Sequence, residues 1–396
     1  MAQEVLNQIS FDNTEIAFEH LSNADLNFSI RMYQLMNNAG LVKVGTSLAR
    51  KAVKWGLPIT WAVRQTVFRQ FCGGVTIDES MKRIQHLQDY GIGAILDFAV
   101  EGAQDENIFD QTKDEIINVL RRGKNVQGIP FGSMKMTGIA RFDLLAKVNA
   151  KEELNEAEKA EYKRIVGRFD EICKAAFEFD VPIFVDAEET WIQDAVDRLI
   201  ESKMRQYNKE KSVVCHTIQM YRWDKLKRVE ELINESKREG FILGVKFVRG
   251  AYLEKENVRA ERMGYKTLMQ PNKAATDHDY DAAIELMTEH IEHTEICNGT
   301  HNELSSMKLV ELMQNKGLEP GDRRIWFSQL YGMSDNISFN LAKHGYNVAK
   351  YLPYGPVKAT IPYLTRRAEE NTAIAGQMGR ELSLLLREKK RRQKNG

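Results

Sequence analysis

Long apolar runs, paired cysteines and an excess of charge of either sign are all missing from this sequence of 396 residues. Lysine plus arginine number 56, as do aspartate plus glutamate, which excludes the globally basic composition of a dedicated nucleic-acid binder. No apolar run approaches the ~18 residues of a membrane-spanning helix. The 4 cysteines form no C-x-x-C motif, so we expect reduced, mostly buried thiols.

Several motifs for small ligands are also missing. No G-x-G-x-x-G follows a predicted strand and no G-x-x-x-x-G-K-[ST] occurs, which argues against a Rossmann or P-loop nucleotide site. The segment 277–281 begins like an EF-hand loop but lacks its glycine, and His290 with His293 has no third ligand nearby, so we expect no metal site. The N-terminus resembles neither a secretory signal nor a transit peptide, and a cytoplasmic location is therefore expected.

Short apolar runs alternate with longer charged segments of helical period from Gly91 onward. Strands that alternate with helices form parallel sheets, and eight such repeats favour a (β/α)8 barrel over a doubly wound sheet. The predicted strands are Ala94–Val100, Ser133–Thr137, Val181–Asp186, Val213–Met220, Phe241–Val248, Thr294–Cys297, Ile325–Leu330 and Tyr346–Tyr351.

Helices are predicted before and between these strands. Residues 12 to 75 have a helical pattern, and Thr76–Glu79 fits a capping box that begins the first well-marked helix. We expect a helical arm over residues 1–75, the barrel over 76–380 and a basic tail over 381–396. Further predicted helices are a long, charged surface helix at Glu152–Phe179, and Trp191–Gln206, Trp223–Glu239, Asp277–His290, Glu303–Asn315 and Ile361–Gly376.

Polar side chains recur where the predicted strands end. In a (β/α)8 barrel the chemistry lies at the carboxyl ends of the strands, so this repeated placement predicts an active site there. One polar strand end would say little, because such ends commonly reach water. The residues concerned are Glu101, Lys135, Asp186, Gln219, Lys246, Arg249, Thr300, His301, Gln329, Lys350 and Tyr351.

Lys135 stands out because it lies between two methionines in an apolar strand. A lysine that points into a barrel loses its hydration and needs a carboxylate or an anionic ligand. Asp186, one strand along, is the expected partner. Three interpretations stay open: a Schiff-base lysine as in class I aldolases, a cation that binds a substrate or cofactor anion, and a purely structural ion pair.

Arg366 and Arg367 are neighbours in a predicted helix whose first turn is marked by Pro362. Glu370 lies at i+4 and i+3 from them and can orient both guanidinium groups, with Tyr363 one turn away. Because adjacent helical residues point about 100° apart, the two arginines could grip a carboxylate from two directions. The alternative is a solvated helix with surface ion pairs.

Six basic residues against Glu388 make the last ten residues a basic tail, which follows an amphipathic stretch at Leu382–Leu386. The tail is either a frayed, solvated helix end or a contact for anionic lipid. Such a contact is worth at most about 1 kcal/mol per basic residue.

A set of motifs, in chain order, resembles the proline dehydrogenase family, whose members are FAD enzymes built on a distorted (β/α)8 barrel. The resemblance runs from about residue 90 to 375 and is weak in the N-terminal helices. The chain is too short to add the aldehyde dehydrogenase domain of the bifunctional bacterial enzymes, which implies a monofunctional form. The motifs are Val185–Glu189, Val248–Tyr252, Thr300–Asn302, Gln329–Met333, Tyr351–Gly355 and the most specific one, Tyr363-Leu364-x-Arg366-Arg367-x-x-Glu370-Asn371.

The resemblance implies roles in a substrate site. Arg366 and Arg367 would bind the proline carboxylate, and Lys135 would be a third cation. Glu101 would pair with Arg366 as a gate over the pocket. The apolar walls against the proline ring would be Tyr351, Leu330 and Tyr363. Members that prefer hydroxyproline have a smaller residue in place of the tyrosine, so Tyr351 implies a preference for proline.

The resemblance also implies an FAD site. Asp186 takes the place of the family's active-site aspartate, and Lys246 that of an arginine near the flavin N5 edge in the bacterial motif. Lysine keeps that charge but loses the bidentate fork. The residues implied to contact FAD are Ala187, Gln219, Arg249, Gly250, Ala251, Tyr252, Lys273, Thr276, Thr300, His301, Gln329, Leu330 and Glu370.

The implied activity is oxidation of L-proline to Δ1-pyrroline-5-carboxylate, the first step of proline catabolism to glutamate. No side chain accepts a hydride, so a cofactor must carry it. Electrons would pass from FAD to membrane quinone, which gives the basic tail a use in peripheral contact with the inner face of a membrane. Two other hypotheses remain: a lysine Schiff-base lyase on the same barrel, and a non-enzymatic membrane-associated binding protein.

Overall fold

Eight parallel strands close into a barrel in the chain order β1-β2-β3-β4-β5-β6-β7-β8. The computed structural model describes residues 9–38, 40, 42–43, 45–47, 55, 59–99, 105–373 and 377–395, the side chains of 367–373 and 377–378 excepted. The predicted barrel is confirmed, and each predicted strand is present with bounds that differ by a few residues at most. The strands are β1 (Ile92–Phe98), β2 (Phe131–Lys135), β3 (Ile183–Asp186), β4 (Val214–Gln219), β5 (Leu243–Val248), β6 (Thr294–Gly299), β7 (Ile325–Leu330) and β8 (Val348–Tyr354).

Helices precede the barrel and connect its strands. Before β1, the pieces Thr60–Val63, Arg64–Phe68 and Arg69–Phe71 follow one another directly, and Thr66 has non-helical backbone angles. The longer helices are α1 (Thr14–Phe18), α2 (Asn23–Met36), α3 (Ile77–Gln88), α4 (Glu106–Gly123), α5 (Phe142–Ala150), α6 (Glu156–Phe179), α7 (Thr190–Tyr207), α8 (Lys225–Glu239), α9 (Leu253–Met263), α10 (Lys273–Glu289), α11 (Glu303–Asn315), α12 (Asp335–Lys343), α13 (Val357–Ala373) and α14 (Gln377–Asn395).

The strand register determines which residues of neighbouring strands lie opposite the polar side chains. Lys135 is opposite Asp186 in the β2–β3 pair, and Lys246 of β5 is opposite Thr217 on one side and Cys297 on the other. Strands β4 and β8 are buried along their whole length, as expected for a parallel sheet covered on both faces. All four cysteines are free and buried, as predicted.

The start of α3 differs in detail from the predicted capping box. The Thr76 hydroxyl accepts the backbone N–H of Glu79, as predicted. The Glu79 carboxylate, however, accepts the N–H of Val75 at 3.0 Å, one residue before the cap. The same carboxylate also pairs with Arg64 at 3.1 Å.

The long, charged surface helix predicted at Glu152–Phe179 is present, with a later start and one buried face. The helix α6 begins later, because Asn155 forms a capping box with Glu158. One face of α6 is also buried, and it includes Ile165 and Phe169. Arg168 on the same face is only 5% exposed and donates to Asp110 of α4 at 2.7 Å. Helix α6 therefore packs against its neighbour through apolar and ionic contacts.

Pro362 does not lie in the first turn of its helix, contrary to the prediction. Helix α13 begins at Val357, because the N–H groups of Ala359 and Thr360 both donate to the Pro356 carbonyl, at 2.8 and 3.1 Å. Pro362 is therefore inside the helix, where it has no N–H to donate to the preceding turn. Sequence reasoning took the wrong one of two nearby prolines as the helix start.

The basic tail is an ordered helix as far as Asn395, which contradicts the frayed end that was one of its two interpretations. Arg391 and Arg392 both bind Glu388, whose side chain is 0% exposed. Arg392 also donates to the Phe18 carbonyl at 2.7 Å, and Arg387 donates to Asp12. None of the described helices is long and apolar enough to cross a membrane.

Two compact units make up the chain, Met1–Glu101 with Gln329–Gly396, and Gly102–Ser328. In the first unit, one apolar cluster joins side chains from the N-terminal helices, such as Tyr33, to Leu364 of α13 and Leu384 of α14. The second unit carries β2 to β6 with helices α4 to α11. The division at residues 75 and 380 stays a prediction.

Candidate active site

Asp186, the last residue of β3, is held by two lysines from different strands. The Nζ atom of Lys246 donates to Oδ1 at 2.5 Å, and Nζ of Lys135 lies 3.5 Å from Oδ2. The side chains of Lys246, Asp186 and Lys135 are 5, 15 and 19% exposed. The expected pairing of Lys135 with Asp186 is confirmed, and Lys246 is a second partner that sequence reasoning did not assign to it.

Arg249 follows β5 directly, and its guanidinium is fixed by three side chains. It donates to Asp277 at 2.7 Å, to the Thr300 hydroxyl at 2.7 Å and to the Ser305 hydroxyl at 2.9 Å. It also lies over the Tyr280 ring, 4.4 Å from the ring centre. The structure thus brings together Arg249 and Thr300, two of the residues implied to contact FAD.

Lys273 joins the same network through Asp277. Its Nζ donates to the second Asp277 oxygen at 2.5 Å. Burial acts to raise the pKa of Asp277, but Lys273 and Arg249 hold it below its ordinary value. Sequence reasoning missed Asp277 and Ser305, although the i,i+4 spacing of Lys273 and Asp277 on α10 was a usable signal.

Several buried polar atoms on and near β4 have no hydrogen-bond partner among the described residues. They include Oε1 of Gln219 and Oγ1 of Thr217 on β4, the hydroxyl of Tyr221 just after it, and Nδ2 of Asn298 on β6. Gln219 is only 2% exposed. A buried polar group without a partner costs free energy, so such a group is a reason to look for a ligand.

Gly250 allows a close approach of backbone to ring next to Arg249. Its φ is +123°, and a Cβ at this position would lie 2.5 Å from the Tyr221 ring. The N–H of Tyr221 donates to the Arg249 carbonyl at 2.8 Å, so the chain segments after β4 and β5 are tied together. Only glycine fits this position, because a side chain would collide with the Tyr221 ring.

The remaining residues of the predicted FAD site in the second unit lie around these networks. Ala187 follows Asp186, Ala251 is exposed, and Tyr252 precedes α9. Thr276 is buried in the first turn of α10, and His301 is half-buried. Among the described residues, no three His, Cys, Asp or Glu side chains are grouped so as to hold a metal ion.

The predicted apolar walls lie in the first unit. Tyr351 and Tyr363 are 7 and 6% exposed. Leu330 packs against the same apolar cluster that contains Tyr363. The N–H of Tyr331 donates to the Tyr351 carbonyl at 2.8 Å, which links the end of β7 to β8. Gln329 is buried, and its Oε1 accepts the Ser338 hydroxyl at 2.7 Å.

Arg366 is a half-buried residue of α13. Glu101 lies outside the described residues, as do the side chains of Arg367 and Glu370. The roles that the resemblance implies for these three residues stay predictions.

Known proteins resemble the chain over most of its length. A family model described as proline dehydrogenase matches residues 80–380. The carbapenem antibiotics biosynthesis protein CarD of Pectobacterium carotovorum subsp. carotovorum is 35% identical over 322 residues, 81% of this chain and 83% of that protein. Mitochondrial proline dehydrogenase 1 of Homo sapiens is 38% identical over 244 residues, 61% of this chain but 41% of that protein.

Solved structures support the fold. Proline utilization A from Bdellovibrio bacteriovorus, inactivated by N-propargylglycine, matches with a TM-score of 0.77 at 18% identity, over 94% of this chain and 41% of that chain. The chain spans less than half of this protein and of the human relative. The match of the family model to residues 80–380 covers well over half of the chain. The chain therefore belongs to the proline dehydrogenase family.

Proposed function

We propose that this protein is an FAD-dependent L-proline dehydrogenase. The observation that carries the proposal is the pair of ammonium groups around Asp186, within the residues that the family model matches. Two cations around one carboxylate concentrate positive charge near the strand ends, which suits an anionic amino acid. The relatives named proline dehydrogenase supply the expectation that this amino acid is proline.

The substrate carboxylate is assigned to the cationic residues. Arg366 and Arg367 would bind it, because an arginine fork matches a carboxylate with two parallel hydrogen bonds. Lys135 would add a third positive charge, and Glu101 would pair with Arg366 as a gate. Tyr351, Leu330 and Tyr363 would flank the apolar ring and exclude water.

The residues of the second unit fit a large polar cofactor. The partnerless Oε1 of Gln219 offers such a cofactor a hydrogen-bond acceptor. Arg249 is fixed in direction by three partners and would face an anionic group of the cofactor. FAD, when bound, supplies the acceptor for the two electrons that leave proline. Gln329, Leu330 and Glu370 would complete its contacts.

In the reaction, proline loses a hydride from C5 and a proton from its nitrogen, and a C–N double bond forms in the product. The nitrogen must be neutral for the hydride to leave, so the site has to bind the carboxylate without an acidic group at the amine. The fixed cations hold the carboxylate and thereby orient C5. Lys246, buried beside Asp186, places a positive charge that favours electron transfer towards the cofactor.

The electron acceptor and the location are further parts of this proposal. Electrons would pass to membrane quinone, and the enzyme would act in the cytoplasm with peripheral contact to the membrane, as the first step of proline catabolism to glutamate. Arg387, Arg391 and Arg392 are engaged within the molecule, so Lys390 and Lys394, which are exposed, are the tail residues best placed for anionic lipid.

The lyase alternative has no observation in its favour. A Schiff base forms from a neutral amine, whereas Nζ of Lys135 lies 3.5 Å from a carboxylate oxygen of Asp186 in an ion pair. Trapping by borohydride with a carbonyl substrate would therefore leave Lys135 unmodified.

The first test is the visible absorption spectrum of the purified protein before and after anaerobic addition of L-proline. A flavin spectrum that bleaches with L-proline is the expected result. A flavin spectrum that stays oxidised would remove proline as the substrate. A colourless protein that FAD does not reconstitute would overturn the proposal as a whole.

The carboxylate clamp has its own test. In the double variant Arg366→Met with Arg367→Met, the KM for proline is expected to rise by about 100-fold or more, since each charged hydrogen bond contributes roughly 1.5–3 kcal/mol. FAD should stay bound, as shown by the absorption spectrum. An unchanged KM would exclude these arginines as carboxylate ligands.

A further inference from the structure

Glu188 binds one residue through both of its carboxylate oxygens. Its Oε1 accepts the backbone N–H of Thr137 at 3.1 Å, and its Oε2 accepts the Thr137 hydroxyl at 2.5 Å. Glu188 is 5% exposed. Thr137 lies in the single 3₁₀ turn Met136–Gly138 that directly follows β2. The carboxylate therefore ties the segment after β2 to the segment after β3.

Glu188 is itself held from behind by a buried network. Its N–H donates to Oε1 of Gln193 at 2.6 Å, and Nε2 of Gln193 donates to Asp197 at 2.6 Å. Asp197 also binds Nζ of Lys225 at 2.7 Å. These groups are all buried. The position of Glu188 is thus fixed by α7 and α8, and Glu188 in turn fixes Thr137.

Lys135 is two residues before Thr137, so its backbone lies next to this tie. Its Nζ is 3.5 Å from Asp186, longer than the 2.5 Å between Lys246 and the same carboxylate. Charged hydrogen bonds are usually about 2.7–2.9 Å long. The contact to Asp186 is therefore a loose one, and the position of the backbone at Lys135 also bears on where its ammonium lies.

We infer that Glu188 is a positioning residue for Lys135: by holding Thr137, it sets the distance of the Lys135 ammonium from Asp186 and so the affinity for the substrate carboxylate. The inference rests on the proposed function, in which Lys135 binds that carboxylate. Burial raises the pKa of Glu188 to about 7, while the two hydrogen bonds from Thr137 and the charge of Lys135 act to lower it. Glu188 can therefore act on Lys135 through geometry and through charge, and the experiment has to separate the two.

Three substitutions separate geometry from charge. Thr137→Val removes the hydroxyl bond, and Thr137→Ser keeps both bonds. Glu188→Gln keeps an acceptor for the Thr137 N–H, and its amide group can donate to the Thr137 hydroxyl. The measurements, on FAD-loaded protein, are kcat and KM for L-proline and, by calorimetry, the Kd of cyclopentanecarboxylate. This probe has the ring and carboxylate of proline but carbon in place of nitrogen.

We expect Thr137→Val to raise both the KM and the Kd of the probe about tenfold, with kcat within twofold of the unsubstituted protein. Thr137→Ser should restore both values, and Glu188→Gln should stay within about threefold. In a Lys135→Met background, Thr137→Val should cause no further rise in Kd, because the two residues act through one group. Unchanged binding in Thr137→Val, or an additive effect in the double variant, would overturn the inference.

Thr190 offers a matched control in the same unit. Its N–H and hydroxyl donate to the two oxygens of Glu256 at 2.7 and 2.6 Å, in the arrangement that Thr137 has with Glu188. Thr190→Val should therefore lower thermal stability about as much as Thr137→Val and leave the Kd of the probe unchanged. An equal rise in Kd in both variants would mean a general structural effect and would refute the role of Glu188.

The proposed function can fail separately from this inference. Suppose that L-proline bleaches the flavin spectrum of the unsubstituted protein and that this protein binds the probe. If Thr137→Val then binds the probe equally well, only the positioning role is refuted. If the unsubstituted protein neither responds to L-proline nor binds the probe, the proposed function is refuted and this inference with it.

Discussion

Asp335 and Asp186 both pair with lysines, and their surroundings differ. In the first unit, Lys350 of β8 is 0% exposed and donates to Asp335 at 2.7 Å and to the Met333 carbonyl at 2.5 Å. The second Asp335 oxygen lies 3.2 Å from Nε2 of His20. In the second unit, Asp186 serves two lysines, and one of these contacts is 3.5 Å long.

This difference separates a structural pair from a candidate reactive group. The Lys350 side chain is fully buried between the Asp335 carboxylate and the Met333 carbonyl. Burial acts to raise the pKa of Asp335, but Lys350 and His20 keep it well below its ordinary value. Asp186 and Lys135, by contrast, are partly exposed at strand ends. Removing the first pair should cost stability, and removing the second should cost activity.

The largest effect is expected from Lys350→Met. The substitution leaves Asp335 buried without its cation, which should lower the free energy of unfolding by roughly 3–5 kcal/mol. Urea denaturation measures this change. Lys343→Met is the control, because Lys343 is 58% exposed and 4.0 Å from Glu19, so its removal should cost less than about 1 kcal/mol. Equal losses in both variants would abolish the distinction between the two regions.

Asp186→Asn tests the other side of the comparison. The substitution keeps the shape but removes the charge that orients Lys246 and Lys135, so kcat/KM for L-proline should fall about 100-fold. The loss of stability should be smaller than for Lys350→Met. Asp194→Asn removes a carboxylate that is 52% exposed beside Arg222 and should leave kcat/KM unchanged. Full activity in Asp186→Asn would make its ion pairs purely structural.

Glu381→Gln tests how the stability of the region around the Asp335–Lys350 pair depends on pH. Burial, with the nearby charge of Asp335, raises the pKa of Glu381 from 4.5 to about 7. The folded protein therefore binds more protons than the unfolded chain between these values, and Glu381 lowers the free energy of unfolding as pH rises through this window. Glu381→Gln should reduce the loss of stability between pH 5 and pH 8 by about 2 kcal/mol.

Urea titrations of both proteins at pH 5 and pH 8 measure that difference. Glu388→Gln is the control, because Arg391 and Arg392 outweigh burial and keep the pKa of Glu388 below its ordinary value. It should not flatten the profile. A Glu381→Gln protein that loses as much stability as the unsubstituted one would place the ionised form of Glu381 in the folded state at all these pH values.

The smallest effect is expected from His20→Phe. The new ring can keep the stack on Phe339, whose centre is 4.0 Å from that of His20, but the bond to Asp335 is lost. We expect a loss of about 1 kcal/mol in urea denaturation. His278→Phe should cost less than about 0.5 kcal/mol, since His278 is 78% exposed beside Asp279. A loss of stability as large as that of Lys350→Met would mean that His20 stabilises Asp335 as much as Lys350 does.

Local patterns in the sequence were sufficient to predict most of the strands and helices. The alternation of apolar runs with helical segments predicted the eight strands, and the Thr76 cap predicted the start of α3. These features depend on neighbours along the chain, whose hydrogen bonds and burial follow from periodicity and residue type. Where two local signals competed, as with Pro356 and Pro362, the sequence alone misplaced the helix start.

Partners far apart in sequence were decided by the tertiary structure. Lys246 and Asp186 are 60 residues apart, Arg249 and Ser305 are 56 apart, and His20 and Asp335 are 315 apart. Residue types alone marked these groups as polar, but only strand register and helix packing select which of them meet. The sequence by itself therefore determined the barrel and the family. The tertiary structure decided which charged groups pair with the same carboxylate. Closure of the barrel brings together strand ends that are far apart in sequence, and ion pairs form between groups that are close in space.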